Sequence, residues 1–231
     1  GLQTLETMAQ PSAYLPNRDT GTLTLASTLF EREAVIQPFL KAVLKLAPAL
    51  TVEIIPPGSS MQASDLLEQD HADFVLLPDG MLSGDAIMSR KIMSFDSMVF
   101  FDANFPLAEQ DIDAFCDRPQ ITVSLGNEPG LAIDRQLARI KKARHVAARV
   151  RNFESAMELI KGTPLIATLP KTKDLGNVKG IGGVPLPHPL HLPTINHHLY
   201  WHRRKQPSNR HGYWRKVIAE ASASKRASAT G

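Results

Sequence analysis

Three short stretches decide the fold: Thr22-Leu23-Thr24-Leu25-Ala26, Leu50-Thr51-Val52-Glu53-Ile54-Ile55 and Phe74-Val75-Leu76-Leu77. The first alternates like a strand with one buried face, the second is β-branched, and the third is short and wholly apolar, as in a strand covered on both faces. Between the first two, residues 30–46 carry Val35/Ile36, Phe39/Leu40 and Val43/Leu44 at helical spacing. Pro38 should kink that helix or mark its restart, and Pro48 stops it. Pro56-Pro57-Gly58 ends the second strand, and residues 61–69 predict another helix. Strand, helix, strand, helix, strand is a parallel α/β half-domain with right-handed crossovers.

After a further strand, Ser97-Met98-Val99-Phe100-Phe101, the pattern restarts. Helices are predicted over 111–116, 133–143 and 153–161, and strands over 121–124, 146–150 and 165–169, with Pro170 closing the last. Residues 176–193, with Gly-Gly and repeated Pro, are expected to be irregular, while 195–201 predict a strand and 213–221 a final helix. The expected class is α/β, with two Rossmann-like lobes joined by two crossing strands near 97–103 and 194–201. Leu2, Leu5 and Met8 suggest that residues 1–20 are a helical remnant and linker. Residues 21–98 plus 199–231 would form lobe I and 99–198 lobe II, with a hinge, a cleft and a ligand beyond the carboxyl ends of strands.

With 43% hydrophobic residues in 231, the chain is too apolar for a disordered tail. No apolar run reaches the roughly 18–20 residues of a spanning helix. The start at Gly1 has neither a basic nor an apolar leader segment and no Met, so it reads as a trimmed fragment without a signal peptide. Cys116 is the single cysteine, which forbids an internal disulfide and fits a cytoplasmic location. The net charge of +3 hides an asymmetry: from Leu199 onward eight Lys/Arg face one acid, Glu220. Residues 60–117 instead hold twelve acids and two bases. The acidic body would repel a phosphate backbone, and the basic end reads as a solvated helix or a nucleic-acid contact.

Read in order, the motifs resemble the effector-binding domain of LysR-type transcriptional regulators. The first strand with Ser27-Thr28, the Pro38 helix, Ala47-Pro48 and Val52-Glu53-Ile54 are similar to that domain's opening. Leu66-Leu67-Glu68 and Asp70-His71-Ala72-Asp73-Phe74-Val75-Leu76 are similar to its next strand entry, with Gln69-Asp70 where Gly is usual. Phe105-Pro106-Leu107-Ala108 is similar to its His-Pro-Leu-Ala turn, with Phe for His. Tyr200-Trp201-His202-Arg203, His211, Trp214 and Arg215 are similar to the close of the subgroup of nodulation and aromatic-catabolism regulators, with Gln206-Pro207 for Asp-Pro and a stretched spacing. The resemblance covers about residues 20–220. It implies a periplasmic-binding-protein-like fold of type 2 and a cytoplasmic transcription factor that is not an enzyme. Its small-molecule effector, an organic acid or an aromatic compound, would bind between the lobes, and the chain would form a homodimer, or a tetramer when full-length. DNA would be bound only through a winged helix-turn-helix absent from this sequence, and neither a cofactor nor a membrane is implied. A two-lobed solute-binding protein for transport is the alternative.

Site candidates follow from position. Ser27, Thr28 and Phe30 lie at the first strand's end, where hydroxyls and free N–H groups cap a helix or meet a ligand. Ser59 ends the second strand, either in a turn or at a ligand. Gly126 and Asn127 sit in a donor-rich loop after a strand, and Thr168 ends the neighbouring strand. Phe153 is a core anchor or an apolar lid, and Phe101 lies at the first crossing. His188, His191, His197, His198 and His202 fall close together, but 188 and 191 lie among prolines and 197 and 198 point to opposite strand faces. His197 or His198 as a hydrogen-bonding wall is favoured over a metal site, and a basic run from Arg139 to Arg151 reads as a solvated face in preference to an anion-docking patch. No nucleophile elbow, P-loop, dinucleotide fingerprint or His-Glu-x-x-His motif is present.

Overall fold

A computed structural model describes residues 13–124, 129–172 and 178–229. In chain order the strands are β1 (Thr22–Ala26), β2 (Thr51–Ile55), β3 (Phe74–Pro78), β4 (Ile87–Phe95), β5 (Ser97–Asp102), β6 (Gln120–Val123), β7 (Val146–Val150), β8 (Ile166–Pro170), β9 (Ile181–Val184) and β10 (Ile195–His202). The helices are α1 (Gln37–Leu46), α2 (Ser60–Glu68), α3 (Ile112–Asp117), α4 (Pro129–Arg139), α5 (Phe153–Ile160) and α6 (Asn209–Ala229). These elements form two compact units, each α/β. The first holds the chain up to Leu77, Leu82–Ile92 and His198 onward, and the second holds Pro78–Met81 and Met93–His197. Strands β4 and β10 each run from one unit into the other.

The first sheet has the order β2-β1-β3-β10-β4, with β1 parallel to both β2 and β3. Strand β3 is buried from Phe74 to Leu77, which explains its unbroken apolar run. Pro38 acts on the turn before it. The segment Arg32–Ile36 is a π-helix in which Ile36 N–H donates to the Glu31 carbonyl, and Pro38 then sits in the first turn of α1, where a missing N–H costs nothing. Helix α2 begins with a capping box: Gln62 N–H donates to Ser59 Oγ at 3.2 Å, and Ser59 N–H donates to Gln62 Oε1 at 2.8 Å.

Helix α6, longer than the sequence suggests, is fastened by polar groups. The Tyr14 hydroxyl donates to Asp19 at 2.5 Å and accepts from Trp214 Nε1 at 2.8 Å, while Arg210 Nε donates to the same carboxylate at 2.7 Å. Burial and the Asp19 bond push the Tyr14 phenol up to about 12. Deeper in, His211 is 3% exposed and lies 4.3 Å, ring to ring, from Phe74. Its Nε2 is 3.0 Å from the Asp73 carbonyl, so that nitrogen carries the proton, and Nδ1 accepts from Arg215 Nη1 at 2.6 Å. Arg215 in turn stacks over Trp201, 5.1 Å from the ring centroid.

The second sheet has the order β7-β6-β8-β5-β9. Here β6 runs parallel to β7 and β8, whereas β5 is antiparallel to both β8 and β9. Val99, Phe101, Phe115, Ile133, Leu137 and Ile166 form the core of one face. Strand β9 lies inside a stretch expected to be irregular; it pairs with β5, and only glycine fits at 182, where a Cβ would lie 2.5 Å from the Phe101 ring. Strand β4 is likewise an addition to the expected elements. Asp102 fastens the end of β5, accepting from Gly162 N–H at 2.6 Å and Asn104 N–H at 2.8 Å, and these bonds hold its carboxyl below the usual range. Arg118 donates to three backbone carbonyls, those of Pro164, Phe105 and Pro106, at 2.7, 2.7 and 3.1 Å.

Burial, with the nearby Arg215, Lys205 and Arg210 charges, lowers the His211 imidazole from 6.5 to about 4, against the partly opposing Asp73 bond. The unfolded chain therefore binds this proton more readily, so the contribution is full above about pH 6.5 and is lost as pH falls toward 4. Unfolding by urea at pH 7 and pH 4.5 should show a loss on acidification of up to about 3 kcal/mol from this group. His211→Gln should be less stable at pH 7 and should lack that part of the loss; an unaltered pH dependence would contradict the assignment.

Candidate functional site

The second unit contains a cavity lined by Ser97, Thr122, Val123, Ile133, Arg144, Phe153, Thr168, Pro170 and Ile195. Register explains how the hydroxyls gather there. Ser97 pairs with Pro170 and Val99 with Thr168 across β5 and β8, and Gln120 pairs with Ile166 across β6 and β8. Period-two alternation then puts Ser97, Thr168 and Thr122 on one face of three adjacent strands. Ile133 from α4, Phe153 at the start of α5 and Ile195 at the start of β10 supply apolar wall. The cavity measures about 20 Å³. A single water needs roughly 10–15 Å³, so the space admits at least one small polar group.

The Thr168 hydroxyl oxygen is buried and has no hydrogen-bond partner among the described residues. Such a group costs free energy until something bonds it. Arg144, by contrast, is occupied. Its side chain is 2% exposed, Nε donates to Asp134 at 2.8 Å and Nη1 donates to Gln120 Oε1 at 2.8 Å. Gln120 is fully buried and passes the chain on, donating from Nε2 to the Phe115 carbonyl at 2.8 Å. The expectation of a solvated basic face fails at Arg144, because Asp134 and Gln120 fold over it.

Of the candidate residues, Phe153 and Thr168 meet in this cavity. Gly126 and Asn127 lie outside the described residues. Phe101 does not face a ligand space; it is 8% exposed and belongs to the core over Gly182. His197 is 2% exposed and stands edge-on to Phe95 at 5.2 Å, whereas His198 is half-buried and pairs through Nδ1 with Ser89 Oγ at 3.3 Å. His188 and His191 are held by their backbones, whose N–H groups donate to Gln110 Oε1 and Gln136 Oε1. Among the described residues no group of three or more His, Cys, Asp or Glu is placed to hold a metal ion.

In the first unit, Ser27 is 4% exposed and its hydroxyl is used twice. It donates to the Glu31 carboxylate at 3.0 Å and accepts from Leu29 N–H at 2.9 Å. Glu31 itself is 1% exposed. The pair forms a tight turn around Leu29, whose φ is 64°, and the helical segment starts only at Arg32, so Ser27 caps no helix. A carboxylate docking on this hydroxyl would meet Glu31, with the one hydroxyl proton already given away. Thr28 Oγ1 accepts a long bond from Phe30 N–H at 3.4 Å, Phe30 is buried, and Ser59 serves the α2 cap.

Ser97, Thr122 and Arg144 are the polar cavity residues that strand-end reasoning misses. A hydroxyl flanked by Ile121 and Val123 is the available signal at Thr122, and only the register shows that it shares a face with Thr168.

Comparison with known proteins matches residues 16–223 to the family model described as LysR substrate binding domain. The HTH-type transcriptional activator NagR of a Ralstonia species is 25% identical over 215 residues, covering 90% of this chain and 70% of that protein. NahR of Pseudomonas putida, also an HTH-type transcriptional activator, is 22% identical over 196 residues, covering 83% of this chain and 64% of its own length. The probable transcriptional regulator PA0477 of Pseudomonas aeruginosa superposes with a TM-score of 0.76 at 21% identity, over 94% of this chain and 72% of that one.

Ser27→Ala strips a donor from a buried carboxylate and an acceptor from the strained Leu29 turn, and should cost about 1–3 kcal/mol. Thr28→Val, which loses one long bond at a half-buried position, should change stability by less than about 0.5 kcal/mol. Urea denaturation of the two variants checks the ranking, and equal stabilities would refute it.

Proposed function

Because the chain belongs to the LysR substrate-binding domain family, we propose that it recognises a small-molecule effector and pairs with a second copy of itself to regulate transcription. The observation that carries the effector reading is the second-unit cavity, where a row of hydroxyls ends on a buried oxygen with no protein partner among the described residues. Its place at the carboxyl-terminal half of β6 and of β8 is where open α/β sheets take ligands. Both curated relatives are named transcriptional activators, which favours regulation over transport and gives no support to catalysis. DNA contact is assigned to the remainder of the longer regulators that this chain resembles. Among the described residues no helix is long and apolar enough to cross a membrane, and we place the protein in the cytoplasm.

Helix α1 is our candidate for the self-association surface. It buries Phe39 and Val43 and turns Leu44, 71% exposed, outward. An isologous contact there joins two copies without leaving an open edge. An effector that binds one conformation better than another shifts the population toward it, which is all that the coupling to transcription requires.

Sedimentation velocity at tens of micromolar should give a dimer, and Leu44→Glu should move it toward monomer. A thermal-shift screen of small organic acids and aromatic compounds should yield at least one ligand. At a hundred-fold excess over Kd such a ligand adds about 2.7 kcal/mol, which raises Tm by roughly 5–10 °C for a chain of this size. A stable monomer that no compound in the screen stabilises would refute the proposal.

A further inference from the structure

Building on the effector-binding reading above, we infer that the second-unit cavity selects effectors that insert one uncharged hydroxyl or carbonyl group onto Thr168, and that it rejects a carboxylate there.

Size gives the first argument. The cavity of about 20 Å³ has room for a water-sized polar group against Thr168, which is what a hydroxyl or carbonyl oxygen needs. A carboxylate brings two oxygens and a hydration shell it would have to shed. Charge gives the second. Among the described residues lining the cavity, the single ionised side chain is Arg144, and its guanidinium is drawn to Asp134 and Gln120. What remains on the sheet face is hydroxyl: Ser97, Thr122 and Thr168, which donate or accept with equal ease and suit a neutral partner. Thr168 is singled out because its oxygen is buried without a protein partner among the described residues, whereas Val99, its pair across β5, is apolar and fully buried. Ile133, Phe153 and Ile195 make the facing wall apolar, so an entering group finds its hydrogen bonds on the hydroxyl-bearing sheet face.

The test uses the folded chain labelled with ¹³C at threonine and isoleucine methyl groups, titrated separately with phenol, benzoate and toluene. Phenol should shift the Thr168 and Ile133 methyl signals saturably, more tightly than the other two probes. Thr168→Val keeps the shape and removes the oxygen, and should weaken phenol about five-fold while leaving toluene unchanged, the effect of one neutral hydrogen bond. The same variant should melt at the wild-type temperature or above it, because no protein hydrogen bond is lost. Phenol affinity that survives Thr168→Val, or benzoate perturbing these methyls as tightly as phenol, would overturn the inference. So would a Tm several degrees lower in Thr168→Val, since it would reveal a protein partner for the hydroxyl. If effectors from the thermal-shift screen bind elsewhere in the chain, this inference fails and the effector-binding reading stands.

Discussion

A sheet covered on both faces leaves an inward polar side chain only two choices, a partner inside the fold or a ligand. That constraint governs both units. Strand β3 meets it by being apolar throughout, and its neighbour Asp73 places a carboxylate oxygen 2.8 Å from Thr24 N–H at the strand entry. The second unit meets it at Gln120, whose buried amide is sandwiched between Arg144 and the Phe115 carbonyl. At Thr168 the hydroxyl oxygen is buried with no protein partner among the described residues.

The cationic groups near the sheets follow the same economy. Arg118 is neutralised by no carboxylate in its three bonds; it stitches the Phe105-Pro106 turn to the end of the α5–β8 connection through carbonyls alone. Arg215 serves the His211 ring and the Trp201 face at once, which suits a planar, weakly hydrated guanidinium better than an ammonium. Tyr14 and Asp19 do for the lead-in segment what these arginines do for the core, tying it to α6 through Trp214 and Arg210. Much of the first unit's specificity thus comes from polar contacts spanning most of the chain length, laid over an apolar core.

Such contacts mark the limit of what sequence reveals. Residues 22–77 announce β1, β2 and β3 through local pattern, and the α/β class follows from them. Strand β4 escaped because Ser89, Arg90 and Lys91 are exposed in its middle and erase the alternation. Strand β9 escaped because Gly182 and Gly183 have poor strand propensity, and what requires glycine at 182 is the Phe101 ring some eighty residues upstream. Phe153 was legible as a helix start, whereas Thr168, expected at a strand end, lies in the middle of β8. Ser97, Thr122 and Arg144 were not legible, since register and the reach of Asp134 decide their roles. Ser27 looked like a helix cap until a π-helical turn moved the helical start to Arg32 and a buried glutamate took its proton.

The same reasoning explains why a threonine at position 168 is informative. Valine has the same shape, an equal or better fit to a pleated strand, and no oxygen to satisfy. A buried hydroxyl without a partner costs about 1–3 kcal/mol, a sizeable part of the margin by which a domain stays folded. Proteins break a local rule of this kind chiefly where function demands it. Ser27 is the contrast: its hydroxyl is as deeply buried, yet both of its bonds are made within five residues, and removing it would damage the fold itself. Of these two hydroxyls, that of Ser27 stabilises its own turn and belongs to the scaffold, while that of Thr168 has no protein partner among the described residues and is the one we propose for a ligand.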